Sequence, residues 1–138
     1  MTVERIEYKD LMGKPYVKGG VHPHLGLDCA GISILLLRRR GIEIPLSMAS
    51  KDNADEVLAA WASALNTPWE KLPPCLTSHN QTGDVVVFKG KNGLSMGVIV
   101  NAKQNLVATA IENKTSRVLY YRQLAKLVRG IYRWKGYA

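Results

Sequence analysis

The spacing of hydrophobic and polar positions changes near Gly83. Before it, apolar residues recur at intervals of three and four, which is typical of α-helices. After it, short apolar runs alternate with turn residues, which is typical of β-strands. Helices followed by an antiparallel sheet predict an α+β domain over residues 1–138.

Two helices are predicted in the first third of the chain. A short one covers residues 3–13. A longer, central one starts after Asp28 as N-cap and runs to about Arg40, with Gly41 as its stop. Apolar side chains surround most of this central helix, which predicts that it is buried.

A third helix is predicted over residues 53–65. Asn53 is the expected N-cap, and Glu56 three residues later completes a capping-box pattern. Residues 66–83 are predicted to form an extended connection. Strands then follow at 84–90, 95–102, 105–112 and 116–122, with a short helix at 123–128 and a last strand at 129–134.

The net charge of +8 raises the question of a polyanionic partner. No RNA- or DNA-binding motif accompanies the basic residues, and Arg38 to Arg40 complement the dipole of their own helix. Nucleic acid is therefore not the favoured partner, while a basic surface that meets another anionic polymer or a protein stays open.

The composition, 46% hydrophobic, is that of an ordinary globular protein. No apolar run is long enough to span a bilayer, and the N-terminus lacks the apolar core of a signal peptide. Cys29 and Cys75 do not form a disulfide framework, and no cysteine or histidine cluster has metal-ligand spacing, so neither a metal nor another cofactor is expected.

Cys29 is the candidate for chemistry because it occupies the first turn of the central helix. Helix N–H groups there favour a thiolate, whereas the adjacent Asp28 opposes one. A cysteine nucleophile also needs a base, normally histidine. The alternative is that Cys29 is a small residue packing a helix start.

The segment "GKPYVKGGVHPHLGLDCAGI" resembles the opening motif of the NlpC/P60 cysteine peptidases, G-x-P-Y-x-x-GG followed by G-x-DC-x-G. The segment "TGDVVVFKGKNGLSMGVIVNAKQNLVATA" resembles their second block, in which a G-D strand precedes H-x-G and a further strand. The ending "LAKLVRGIYRW" is similar to that of the phage tail-assembly branch, which closes on G-x-YR.

The resemblance implies a papain-like fold and hydrolysis of amide bonds in peptidoglycan stem peptides by Cys, His and a third polar residue. It implies Cys29 as nucleophile, with backbone groups around it stabilising an oxyanion, and Tyr16 as an aromatic hydroxyl over the site. Because Gly97 matches the glycine of H-x-G, the histidine position is Ser95. The third position is Ala108, or Thr109 if the turn differs by one residue.

Serine cannot replace imidazole as a base at neutral pH. Three histidines are present elsewhere. His22 and His24, in the loop before Cys29, are the candidate substitute bases, and His79 is a weaker one.

The favoured interpretation is a degenerate, inactive NlpC/P60-like domain that serves as a structural component of a phage tail tip or hub. Its expected partners are other tail proteins, and peptidoglycan is a further candidate. Its expected location is the virion tail, after assembly in the host cytoplasm without a signal peptide. The alternative is an active peptidoglycan endopeptidase or amidase in which His22 or His24 is the base.

Overall fold

A computed structural model describes residues 5–49, 53–66, 68–73, 80–91 and 93–136. Its α-helices are α1 (Cys29–Arg39), α2 (Ala54–Leu65) and the one-turn α3 (Tyr121–Leu124). Its strands are β1 (Val21–His22), β2 (Gly26–Leu27), β3 (Trp69–Leu72), β4 (Val85–Gly90), β5 (Gly93–Asn101), β6 (Leu106–Ala110), β7 (Ser116–Tyr120) and β8 (Val128–Trp134).

Six strands form one antiparallel sheet in the order β3-β8-β4-β5-β6-β7, and β1 pairs with β2 in a small hairpin. Helix α1 packs across β5 and β6. We call the side of the sheet that α1 covers the α1 face, and the opposite side, covered by α3, the α3 face. Each face has its own apolar cluster, which confirms the α+β prediction.

Helix α1 forms as the sequence predicts. Asp28 caps its N-terminus by accepting a hydrogen bond from the Gly31 N–H at 2.6 Å. Gly41, with φ of 102°, follows its last turn in a conformation that favours glycine. The side chains of Ile32, Ile34, Leu36 and Leu37 are fully buried, and each contributes about 1.5–3 kcal/mol through the hydrophobic effect.

The helix predicted over residues 3–13 is wrong in the part that the structure describes. Only Lys9–Leu11 form a helical turn, of the 3-10 type. Arg5 bridges Asn101, and the Ile6 N–H donates to the Val100 carbonyl at 2.7 Å. Pairing with the end of β5 therefore satisfies the backbone that a helix would have used, as tertiary context commonly overrides local propensity.

Helix α2 matches the prediction, but its expected capping box does not form. Instead of capping α2, the Asn53 side-chain oxygen accepts a hydrogen bond from the Leu94 N–H at 2.9 Å. This contact ties the start of α2 to the start of β5.

Three further differences concern strands and short helices. The connection predicted over 66–83 contains the edge strand β3, and the loop before α1 contains the β1–β2 hairpin. The helix predicted over 123–128 begins and ends earlier, as α3, and β8 starts at Val128.

Candidate functional site

The buried carboxylate of Asp28 joins the glycine loop to the start of α1. One oxygen accepts from the Gly31 N–H and the other from the Gly19 N–H at 2.7 Å. Burial raises the pKa of Asp28, and these two hydrogen bonds oppose the shift. The aspartate of the DC-x-G motif therefore has a clear structural role beside the cysteine.

The motif glycines allow the same loop and helix to meet without a gap. A Cβ atom at Gly31 would overlap the carbonyl oxygen of Gly20. A Cβ atom at Gly20 would in turn meet the carbonyl oxygens of Val17 and Gly26. The glycines of "GG" and "DCAG" are thus required by close backbone approach, which fixes the position of Cys29 against the loop.

Cys29 begins α1 as a half-buried thiol. Burial raises the pKa of Cys29 above its ordinary value and the charge of Asp28 adds to the shift, whereas the nearby Met96 backbone favours the thiolate and opposes it. Burial outweighs the lowering that a helix N-terminus supplies. At neutral pH the group is therefore a thiol.

On β5, the side chain that faces α1 at this level belongs to Met96. Met96 is buried in the α1 cluster and is paired across the strands with Val87 of the same cluster. Ser95 is paired with Phe88, which belongs to the α3 cluster. Since neighbouring residues of a strand point to opposite faces, Ser95 lies on the α3 face, away from Cys29.

On β6, Ala108 and Ala110 are buried on the α1 face. Thr109 points to the α3 face, where its hydroxyl donates to the Met96 carbonyl at 2.7 Å. The β5–β6 pairing extends only to Val98 and Ala108, so the Thr109 hydroxyl bonds Met96 where the ladder has ended. The α1 face of both strands is therefore apolar here, at Met96 on β5 and at Ala108 and Ala110 on β6.

Tyr16 lies close enough to Cys29 for the two groups to interact electrostatically. Burial, together with the charges of Cys29, Asp28 and Glu112, raises the pKa of Tyr16 to about 12. No motif in the sequence points to Glu112, although it is one of only two acidic residues after residue 73. Its place just beyond β6 brings its carboxylate close enough to act on the Tyr16 phenol.

The structure does not bring His22 and His24 together with the thiol. Both are exposed in the β1–β2 hairpin, with ring centroids 5.7 Å apart. The His22 Nδ1 accepts hydrogen bonds from the N–H groups of His24 and Leu25, at 3.1 and 3.3 Å, and so holds the turn. His79 and Cys75 lie outside the described residues.

Within the ranges that the structure describes, no three histidine, cysteine, aspartate or glutamate side chains gather as metal ligands do. In those same ranges no helix has the length and apolar character needed to cross a membrane.

The fold and site define a class: an α+β domain of papain-like type whose cysteine opens a helix packed on an antiparallel sheet. The sequence model of the NlpC/P60 family matches residues 13–133, and the chain belongs to that family. A comparison with curated proteins finds no match.

Among solved structures, the chain is similar to an NlpC/P60 family protein from Bacillus cereus ATCC 10987. The two share 17% sequence identity with a TM-score of 0.55 over 90% of this chain and 36% of the other. This likeness supports the fold alone. The chain spans about a third of the length of that protein.

Proposed function

We propose that this chain is a catalytically inactive NlpC/P60 domain that serves as a structural component of a phage tail or tail-like particle. The observation that carries the first half of the proposal is the buried apolar side chain of Met96, which faces α1 on the strand that lies against Cys29, where a cysteine peptidase needs an imidazole.

The protonation state of Cys29 supports the same proposal. A peptidase of this type attacks as a thiolate, which a neighbouring imidazolium stabilises. Here burial raises the pKa of the Cys29 thiol, and the hydrogen bonds of His22 hold the hairpin turn. Among the described residues, the loop, Asp28 and the glycines hold the start of α1 in place, while both His22 and His24 lie in the exposed hairpin.

The second half of the proposal depends on the likeness of "LAKLVRGIYRW" to the tail-assembly branch of the family. In this structure the G-x-YR ending has a packing role: Arg133 binds the buried carboxylate of Asp84 through two hydrogen bonds, of 2.9 and 2.8 Å. Other tail proteins are the proposed partners, and the tail of the virion is the proposed location.

Two measurements test inactivity. Purified protein incubated with muropeptides is expected to release no product by mass spectrometry, and alkylation of Cys29 by iodoacetamide is expected to become fast only above the ordinary pKa of a thiol. Cleavage that disappears in Cys29→Ala would overturn the proposal. If His22→Gln or His24→Gln also abolished that cleavage, the active alternative would be established.

The tail assignment has its own test. Particles purified from a producing strain are expected to contain the chain, and Cys29→Ala is expected to leave particle assembly intact. Absence of the chain from purified particles, or loss of infectivity with Cys29→Ala, would contradict this assignment.

A further inference from the structure

The net charge of the chain is unevenly distributed. Residues 1–73 contain nine Lys or Arg and nine Asp or Glu, whereas residues 74–138 contain ten Lys or Arg and only Asp84 and Glu112. The whole charge of +8 therefore belongs to the part of the chain that forms most of the sheet and α3.

Part of that charge collects on the α3 face. Strand β7 ends beside the start of β6, and β8 starts beside Phe88 near the end of β4, so α3 and the turn after it cross this face of the sheet. Tyr121 and Leu124 point inward and are buried in the α3 cluster. The residues left exposed on the outside of the crossing include Arg122, Lys126, Leu127 and Arg129.

Arg117 adds a further cation to this surface, because its partner on β6 is Thr109, which points to the α3 face. We call Arg117, Arg122, Lys126 and Arg129 the basic patch. Among the described residues none of the four forms an ion pair, whereas Arg38, Arg39 and Arg5 in the first half pair with Glu43, Asp10 and Glu7.

The acidic groups of the α3 face do not neutralise the patch. Asp84 is fully buried and bound by Arg133. Glu70, on the edge strand β3, faces Arg133 across the β3–β8 pairing. Both carboxylates thus lie beside Arg133, which is outside the patch.

Two cations of the patch are held in place by their own chain. The Arg129 guanidinium donates to the Leu127 carbonyl at 3.1 Å, and the Arg122 guanidinium lies 5.0 Å from the centre of the Tyr120 ring. Side chains fixed before binding lose less conformational entropy when a partner arrives.

An apolar side chain is exposed within the same surface. Leu127 is 41% exposed, among the five large hydrophobic residues that the described part of the chain leaves exposed. Tyr120, which is 48% exposed, borders the patch at the end of the edge strand β7 through its contact with Arg122. An apolar centre with a charged rim is the usual anatomy of a protein–protein interface. One face of the Tyr120 ring is occupied by Arg122, so that face is closed to the base stacking by which single-stranded nucleic acid is commonly bound.

We infer that the basic patch, with Leu127 exposed at its centre, is a docking surface for a protein partner whose own surface carries carboxylates around an apolar centre. The surface lies on the side of the sheet opposite Cys29, so the inference stands whether or not the thiol is inert.

The test measures binding of three fluorescent probes by anisotropy. The probes are a short acidic peptide containing leucine and tryptophan, a peptide of equal charge in which serine and glycine replace those residues, and a duplex oligonucleotide. The apolar acidic peptide is expected to bind tightest, and its affinity is expected to fall as salt screens the charges.

Substitutions distinguish binding at this surface from attraction to the net charge of the protein. The double substitution Arg122→Glu with Lys126→Glu is expected to weaken binding of the apolar acidic peptide by about tenfold or more. A tenfold change in the dissociation constant corresponds to roughly 1.4 kcal/mol. With Leu127→Ser, the apolar acidic peptide is expected to bind no more tightly than the serine–glycine peptide. The matched control, Lys9→Glu with Lys18→Glu, changes net charge equally at exposed sites in the first half and is expected to bind as the natural protein does.

Three results would overturn the inference. One is tighter binding of the oligonucleotide than of the apolar acidic peptide, which would assign the patch to nucleic acid. Another is equal weakening by both double variants, which would reduce the effect to net charge. The last is failure of every probe to bind.

Discussion

The backbone of Met96 lies near the sulfur of Cys29 and favours its thiolate, so β5 meets the thiol through its main chain. The Met96 side chain packs in the same apolar cluster as α1. The thiol is therefore packed against β5, while this strand presents no ionisable side chain to it at this level.

Met96→His is expected to activate the thiol. An imidazole on the α1 face at this position would favour the thiolate and lower the pKa of Cys29, so iodoacetamide should alkylate Cys29 about tenfold faster at pH 7 for each unit by which that pKa falls. The measurement is the alkylation rate of Cys29 against pH, with circular dichroism to verify that the variant is folded.

Ser95→His is the matched control, because residue 95 points to the α3 face. Its alkylation profile is expected to follow that of the natural protein. Activation by the histidine at 95 and not by the one at 96 would contradict the strand orientation described above.

Ser95 and Met96 point to opposite faces of β5, and the sequence alone does not show which one faces α1. The likeness of Gly97 to the glycine of H-x-G predicts Ser95 at the histidine position. Shifting a strand by one residue moves every side chain to the other face, and an apolar run such as "MGVIV" gives no polar alternation with which to choose. Gly97 itself faces the α3 side, where a Cβ atom would crowd Val107 and Thr109.

Gly31→Ala is expected to destabilise the protein even though alanine favours helices by about 1 kcal/mol over glycine. Its Cβ would overlap the Gly20 carbonyl oxygen, and overpacking of this kind typically costs about 1–3 kcal/mol. Urea unfolding gives the free-energy change. Ser63→Ala, at an exposed site inside α2, is the control and is expected to be neutral or slightly stabilising. A Gly31→Ala protein as stable as the control would refute the close approach.

Tyr16 is expected to make the free energy of unfolding depend on pH in the alkaline range. Its pKa rises from 10.0 in the unfolded chain to about 12 in the folded one. A group whose folded pKa is raised contributes stability that is fully present below the unfolded value and is lost as pH increases toward the folded value. The free energy of unfolding should therefore fall between pH 10 and about 12, and Tyr16→Phe should reduce that fall.

Cys29→Ala tests the cause of the same shift. Because the charge of Cys29 is one of the influences that raise the pKa of Tyr16, its removal is expected to lower that pKa, with burial keeping it above the ordinary value. The ultraviolet absorbance of tyrosinate, compared with that of Tyr16→Phe, follows this titration. An unchanged Tyr16 titration would show that the two groups do not interact.

Parts of the fold with strong local signals were predictable, and parts set by distant contacts were not. Asp28 and Gly41 bound α1 as expected because each acts within its own helix end. Asn53 instead bonds Leu94, 41 positions away, and β3 exists because residues 69–72 pair with β8. No local pattern reports such partners.

The ion pair between Arg133 and Asp84 is expected to be the most costly polar contact to break. The Asp84 side chain is 0% exposed and also accepts the Gln81 N–H at 2.8 Å, so Arg133→Met would leave a buried carboxylate without its counter-charge, at a cost of about 3–5 kcal/mol. Glu43→Gln, which breaks the exposed Arg38 pair, should cost at most about 1 kcal/mol in the same urea titration. Adding Asp84→Asn to Arg133→Met should recover part of the loss, because the stranded charge is then gone. Equal costs for Arg133→Met and Glu43→Gln would mean that this pair does not lock β8 to the start of β4.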